Sequence, residues 1–185
     1  MGADFVMTTR GGELTYHGPG QIVGYPLIDL SRYSPTLGAR DYVCRMQKTL
    51  ELHLEEAHGI TPTTSQHTGV FLNSHTKIGS IGVQVRHRLT SHGFSLNVTR
   101  EPISWFKRIV ACGLEGVDAG SIETAQSEVI RMEDEVSGLV SRFGRLYERE
   151  VIPMVLEDEG ELGEAIAELE REAKRAGPWP TAPLS

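Results

Sequence analysis

The sequence predicts an α+β fold, and three observations carry that reading. Residues 77–98 alternate apolar with small or polar side chains at the period of two that a strand demands. Residues 36–57 repeat apolar side chains at three and four, the period of a helix. Beyond residue 112 strand alternation stops and helical periodicity takes over. Strands gathered ahead of helices, rather than alternating with them, define the α+β class. The chain has 185 residues, 39% of them hydrophobic, enough for one domain with a core and an appendage.

In chain order, residues 10–20 are glycine-rich and predict a loop, and Gln21 to Leu30 a strand. Thr36 to Ala57 predicts a helix with Val43, Met46, Leu50, Leu54 and Ala57 on one stripe and Gly59 as its C-cap. Val70 to Asn73 is a short strand. Lys77 to Arg86 is a second, with Ile81, Val83 and Val85 on one face. Gly93 to Val98 is a third, with Phe94, Leu96 and Val98 together, and the short link through Arg88–His92 makes the last two an antiparallel pair. Gln126 to Tyr147 reads as one amphipathic helix through Val129, Met132, Val136, Leu139, Val140, Phe143 and Leu146. Glu161 to Arg175 reads as a thinner-striped one through Leu162, Ile166, Leu169 and Ala173. The division expected is a catalytic domain over residues 1–150 and an acidic helical extension over 151–185.

The formal charge is −7, which argues against general nucleic-acid binding, and no apolar run approaches the ~18 residues of a membrane helix. The charge is uneven. Residues 77–112 carry net +5, whereas 113–185 carry net −10. Two cysteines, Cys44 and Cys112, make no disulfide framework, so a reducing compartment is the default. Residues 1–9 show neither a secretory signal nor an Arg-rich transit peptide.

Four segments hold candidate chemistry. Cys112 precedes a glycine at the end of an apolar stretch. It would be a nucleophile if a base or cation supplied the thiolate, and a small buried hydrophobe otherwise. Cys44, at the edge of the helical stripe, reads as such a hydrophobe. Lys77 opens a glycine-punctuated apolar strand. In a dry pocket it could take a proton, and at an exposed strand end it would do nothing. The run Arg10-Gly11-Gly12-Glu13-Leu14-Thr15-Tyr16-His17-Gly18-Pro19-Gly20-Gln21 lets backbone approach a ligand, or simply turns a hairpin. His92, in Ser91-His92-Gly93-Phe94-Ser95-Leu96-Asn97-Val98, could orient the lysine or the thiol, or be structural. The scattered histidines lack metal-ligand spacing, so no metal is expected, and no nucleotide fingerprint is present, so no cofactor is.

Taken in order, Arg10-Gly-Gly-x-x-Thr-Tyr-His-Gly-Pro-Gly-Gln21, Lys77-Ile-x-x-Ile-Gly-Val83, Ser91-His-Gly-Phe-x-Leu-Asn-Val98 and Cys112-Gly-Leu114 resemble the lipoyl(octanoyl) transferases over residues 10 to about 123. The resemblance implies the fold of biotin and lipoate protein ligases. It implies an acyltransferase that moves an octanoyl group from acyl carrier protein to a lysine of a lipoyl domain. The acceptors implied are the lipoyl domains of 2-oxoacid dehydrogenase E2 subunits and the glycine cleavage H protein. Cys112 would carry the acyl thioester, and Lys77 would lower its pKa and act as acid and base. Substrate would be bound by Arg10, Gly11, Gly12, Glu13, Leu14, Thr15, Tyr16 and His17, by Ser80, Ile81 and Gly82, and by Gly93, Phe94 and Ser95. Gly79, Gly82 and Gly93 would open a slot for the acyl chain, whose burial contributes several kcal/mol at ~0.8 per CH₂. The location implied is mitochondrial in a eukaryote, which the appended helices favour, and cytoplasmic in a bacterium. The family usually carries another strand and helix ahead of the first segment, where this chain has nine residues, and its loop after the cysteine differs from Val117 to Ile122. Two other readings stay open: an ATP-dependent ligase on the same fold, and a non-catalytic paralogue that binds lipoyl domains.

Overall fold

The structure is a computed structural model that describes residues 4–110, 113 and 116–177. Its elements are β1 (Gln21–Gly24), α1 (Ala39–His58), β2 (Val70–Asn73), β3 (Thr76–Arg86), β4 (Leu89–Asn97), α2 (Glu101–Phe106), β5 (Asp118–Ala119), α3 (Ile122–Gln126), α4 (Met132–Tyr147) and α5 (Gly160–Ala176). Short 3₁₀ turns lie at Leu30–Arg32 and Leu156–Asp158. The sheet runs β1-β4-β3-β2, all antiparallel, and β5 joins β3 in parallel. The α+β reading holds.

The pair expected between residues 77 and 98 is a tight hairpin. Arg86 opposes Leu89, and His87 and Arg88 fill the two turn positions with φ of 49° and 67°. Two consecutive left-handed residues match the right-handed twist of the strands they join. The hairpin is therefore longer than the alternating residues alone indicated. Pairing of β4 with β3 ends at Leu96 and Gly79, and β5 then takes the same edge of β3 at Thr76 and Lys77. Lys77 thus has Phe71 of β2 on one side and Ala119 of β5 on the other.

Helix α1 buries Tyr42, Met46, Thr49, Leu50, His53 and Leu54, and Gly59 ends it in the left-handed conformation. Ala57 is exposed, because the buried stripe runs through Tyr42, Thr49 and His53 instead. Cys44 is exposed too, not a buried hydrophobe. The core joins α1 to Ile78, Phe94, Leu96 and Val98 of the hairpin and to Leu139 and Tyr147 of α4. Tyr147 donates from its hydroxyl to the Tyr42 carbonyl at 2.6 Å, and Tyr42 donates to the Pro26 carbonyl at 3.0 Å. Burial raises the pKa of both phenols, so each remains a donor.

The helix expected over Gln126–Tyr147 starts later, at Met132, because Gln126 closes a separate short helix. A capping box of Ser121 and Thr124 starts α3, Ser127 (φ 59°) ends it, and α4 begins at Met132. Val129 lies between them, 87% exposed, and Val136 and Val140 face solvent. The buried face of α4 runs through Glu135, Leu139 and Tyr147. Met132, Phe143 and Leu146 of the expected stripe pack against the core beside Leu139, but a buried glutamate takes a place in that face, so hydrophobic periodicity drew the stripe too wide at Val136 and Val140. Helix α5 forms as expected, but Leu162 and Leu169 of its stripe are exposed.

Candidate functional site

Three of the four singled-out segments meet on the sheet. Ser80 opposes Ser95, Ile81 opposes Phe94 and Gly82 opposes Gly93, so the second and third segments are cross-strand partners. The first segment lies over them: Gly11 donates its N–H to the Val83 carbonyl at 2.9 Å, and a side chain on Gly82 would run into Gly11 and Arg10. Arg10 braces that loop, donating to the carbonyls of Gly11 at 3.1 Å and Glu13 at 2.6 Å. Glu13 reaches on to Gly113, where a Cβ would meet its carboxylate. Cys112 itself lies outside the described residues.

Tyr16 stacks on Trp105 of α2 with centroids 5.3 Å apart, and meets Phe106 edge-on at 5.8 Å. Burial, then the carboxylate of Glu101, raise the phenol's pKa. Helix α2 went unread in the sequence, being a single six-residue piece with Pro102 in its first turn. Its aromatic pair was the signal that could have found it.

Lys77 is half-buried. Its Nζ donates to the Thr68 carbonyl at 3.0 Å and lies 5.5 Å from the Phe71 ring centroid. Gly69 makes this possible. A Cβ there would stand 2.5 Å from Lys77 Cε and 2.6 Å from the Gly79 carbonyl, and φ is +128°, a region side chains rarely adopt. Gly69 is a site residue that the sequence did not disclose, since one glycine before a strand carries no signal of its own.

The glycines expected to open an acyl slot are places where chain meets chain. The Cβ direction of Gly79 is filled by Leu50 and Val70, that of Gly82 by the first loop, and that of Gly93 by Gly24 and Pro26. His92 opposes Val83, six residues up β3 from Lys77, or ~20 Å at strand rise. It therefore does not orient the lysine.

At the Lys77 end of the sheet, a chain of hydrogen bonds links the segments. His17 Nδ1 lies 2.8 Å from Gln21 Oε1, and Gln21 Nε2 donates to Asn97 Oδ1 at 2.8 Å. Asn97 Nδ2 donates to the Gly120 carbonyl at 2.9 Å, and the Gly120 N–H donates to the Lys77 carbonyl at 2.9 Å.

A second polar cluster lies between α1, α3 and α4. His53 Nε2 and His58 Nε2 stand 2.8 and 2.7 Å from the same oxygen of Glu135, and three ligand-type atoms fall within 4.8 Å of one another. Gln126 Nε2 donates to the His58 carbonyl at 2.7 Å, so its Oε1 is the atom facing His58 Nδ1 at 3.2 Å. These are hydrogen-bond distances, and nearby Arg142 adds positive charge that would oppose a metal ion. The cluster fits a buried clasp between helices better than a metal centre.

Burial, against the pull of Glu135, lowers the pKa of His53 below its ordinary 6.5. The unfolded chain then binds more protons than the folded one as pH falls below 6.5, so this contribution is present above that pH and lost below it. The thermal midpoint is expected to drop between pH 7 and 5, with a shallower slope in His53→Leu. Glu135→Gln keeps the shape and an oxygen that can accept from both imidazoles, but replaces two charge-assisted hydrogen bonds with neutral ones, and is expected to cost about 1–2 kcal/mol in urea melts.

The antiparallel sheet with α1 across it is the catalytic-domain fold of the biotin and lipoate protein ligases. The chain overlays biotin protein ligase from Aquifex aeolicus with a TM-score of 0.54 at 11% identity, covering 70% of this chain and 53% of that one. It overlays LipL1 of P. falciparum, solved with lipoate, at 0.56 and 13%, covering 80% and 40%. In sequence, residues 1–144 match the lipoyl protein ligase A/B catalytic domain, and the chain belongs to that family. It is 33% identical over 153 residues to the octanoyltransferase of Koribacter versatilis, covering 82% of this chain and 61% of the relative. It is 36% identical over 143 residues to the mitochondrial octanoyl-[acyl-carrier-protein]:protein N-octanoyltransferase of Danio rerio, covering 77% and 62%. The chain thus spans about three fifths of the length of these relatives.

Proposed function

We propose that the chain transfers an octanoyl group from acyl carrier protein to a lysine of lipoyl domains through a thioester on Cys112. The observation that carries this reading is the position of Lys77. Its amine sits where β5, reached six residues after Cys112, rejoins β3, and its only hydrogen-bond partner among the described residues is a backbone carbonyl. An amine so placed is free to exchange protons with a thiol.

Both partners are proteins, and a covalent intermediate splits the transfer into two half-reactions with ping-pong kinetics. Lys77 takes the thiol proton, and the thiolate attacks the octanoyl thioester. The bond to the carrier's sulfur breaks, and Lys77 returns the proton to that sulfur. Exchange of one thioester for another is near neutral in energy, and amide formation by the incoming lysine is downhill, so no ATP is needed. The loop from Arg10 to His17, lying against Ser80–Gly82 and Gly93–Ser95, would bind the acyl group and its carrier arm. Arg86 and Arg88 at the hairpin turn, with Lys107 and Arg108 after α2, are exposed and supply a basic rim for acidic carrier and lipoyl domains. The acceptors expected are the lipoyl domains of 2-oxoacid dehydrogenase E2 subunits and the glycine cleavage H protein. The location expected is mitochondrial in a eukaryotic host and cytoplasmic otherwise. Residues 1–150 would form the catalytic unit and 151–185 an appended helix.

Incubation with octanoyl-carrier protein is expected to add an octanoyl mass to Cys112, and a lipoyl domain to discharge it. Undiminished transfer by Cys112→Ser would sink the covalent route. Some structures of this fold are ligases solved with ATP, and an ATP requirement here would favour that chemistry. Absence of any turnover would favour a binding role.

A further inference from the structure

The hydrogen bonds that reach His17 leave no freedom in where its proton sits. A carbonyl can only accept, so the Gly120 carbonyl fixes the Asn97 side chain with Nδ2 towards it and Oδ1 towards Gln21. Asn97 Oδ1 must then receive Gln21 Nε2. Gln21 is thereby turned with Oε1 towards His17, and an oxygen facing a ring nitrogen at 2.8 Å requires that nitrogen to carry the proton. Gln21 and Asn97 are 8% and 4% exposed, so water does not compete for these contacts. His17 is exposed, and the neutral ring presents Nε2 as a bare acceptor.

The position matters as much as the tautomer. Gln21 pairs with Asn97 across β1 and β4, one step beyond the Gly79–Leu96 pair, and the Gly120 peptide that ends the relay is bonded to the Lys77 backbone. The relay and the lysine therefore share one end of the sheet and meet at one residue, Gly120, whose carbonyl receives Asn97 and whose N–H reaches the Lys77 carbonyl.

We propose that Gln21 and Asn97 are positioning residues that hold His17 as the Nδ1–H tautomer, leaving Nε2 to accept a proton from the amine that receives the acyl group. This rests on the transfer reading above and divides the labour within it: Lys77 serves the thiol, and His17 serves the acceptor lysine. In the second half-reaction one proton of the acceptor ammonium passes to His17 Nε2. The freed amine attacks the thioester carbonyl carbon, the C–N bond forms and the C–S bond breaks. The second proton on nitrogen goes by way of Lys77 to the departing Cys112 sulfur. Gaining a proton at Nε2 leaves the Nδ1–H bond to Gln21 intact, so nothing rearranges during the step.

The test has a spectroscopic arm and a kinetic arm. In the full chain labelled with ¹⁵N-histidine at neutral pH, the His17 signals, assigned by their loss in His17→Ala, are expected to report Nδ1–H. In Gln21→Met they are expected to revert to the Nε2–H form usual in water. A majority of Nε2–H in the unsubstituted chain would overturn the proposal without reference to any activity, and that spectrum decides alone if Gln21→Met does not fold. In the kinetic arm the octanoyl-enzyme is loaded first, and release to a lipoyl domain is followed against pH. His17→Ala is expected to slow amide formation ~100-fold, to remove the acidic limb of its pH profile, and to recover with added imidazole. A rate unchanged by the substitution, or a loss that imidazole does not rescue, would mean that His17 only packs. Failure of the unsubstituted chain to load octanoyl at all would count against the transfer reading, while the tautomer spectrum would still stand or fall separately.

Discussion

Lys77→Met is expected to lower octanoyl transfer by about a thousandfold while leaving the melting temperature within a few degrees of the parent chain. The two halves of that expectation come from different observations. Among the described residues the amine makes one hydrogen bond, to the Thr68 carbonyl, and the side chain is half-buried. Its removal exposes that carbonyl to water and leaves no charge stranded, so the cost to stability is below about 1 kcal/mol. Methionine keeps the apolar stem that packs near Phe71 and Gly69. On the proposed mechanism the loss in rate would come from the missing proton exchange with the thiol, a kind of step that ordinarily contributes ~10²–10⁴-fold. Transfer from octanoyl-carrier protein measured beside a thermal melt checks both halves. A rate within tenfold of the parent would remove Lys77 from the chemistry, and a collapsed melt would make it structural.

The second large effect is on the fold. Gly93→Ala is expected to destabilise the domain by about 4 kcal/mol, a large share of the 5–15 typical of a domain. The added Cβ would lie 2.0 Å from the Gly24 carbonyl oxygen and 2.7 Å from Pro26 Cδ. The nearest of these atoms is backbone, so no side-chain rotamer relieves the contact. Relief requires β1 to move off β4 next to His92, already at φ 60°. That movement would also pull on the Gln21–Asn97 pair three residues further along β1. A urea midpoint within 0.5 M of the parent, at unchanged slope, would show that the strands can part cheaply.

The sequence was most legible where apolar side chains recur regularly along the buried face of an element. Helix α1, its glycine cap and the β3–β4 hairpin were all visible, because each buries a regular stripe against the core. It was least legible where polar groups are buried. His53, Glu135 and Thr49 occupy core positions by satisfying one another or the backbone, and periodicity in hydrophobicity cannot register them. The exposure of Val136 and Val140 was misread for that reason, and the start of α4 because a serine, Ser127, ends α3 in the left-handed conformation that usually marks a glycine. For the site, the quoted segments supplied Lys77, His17, Gln21 and Asn97 as residue types in order. They could not show that Gln21 and Asn97 touch, because the pair is formed across strands 76 residues apart. Nor could they separate His92 from Lys77, since distance along β3 becomes known only when the register is.

That separation has a kinetic corollary. The β3–β4 hairpin closes over two residues and can form early, on its own. The relay cannot, for it needs β1 brought back across 76 residues, and α4 is anchored by a Tyr147–Tyr42 bond spanning 105. Closure of long loops is slow relative to local pairing. A refolding chain should therefore regain hairpin secondary structure before it regains a correctly protonated His17, and catalytic competence should be the last property to return.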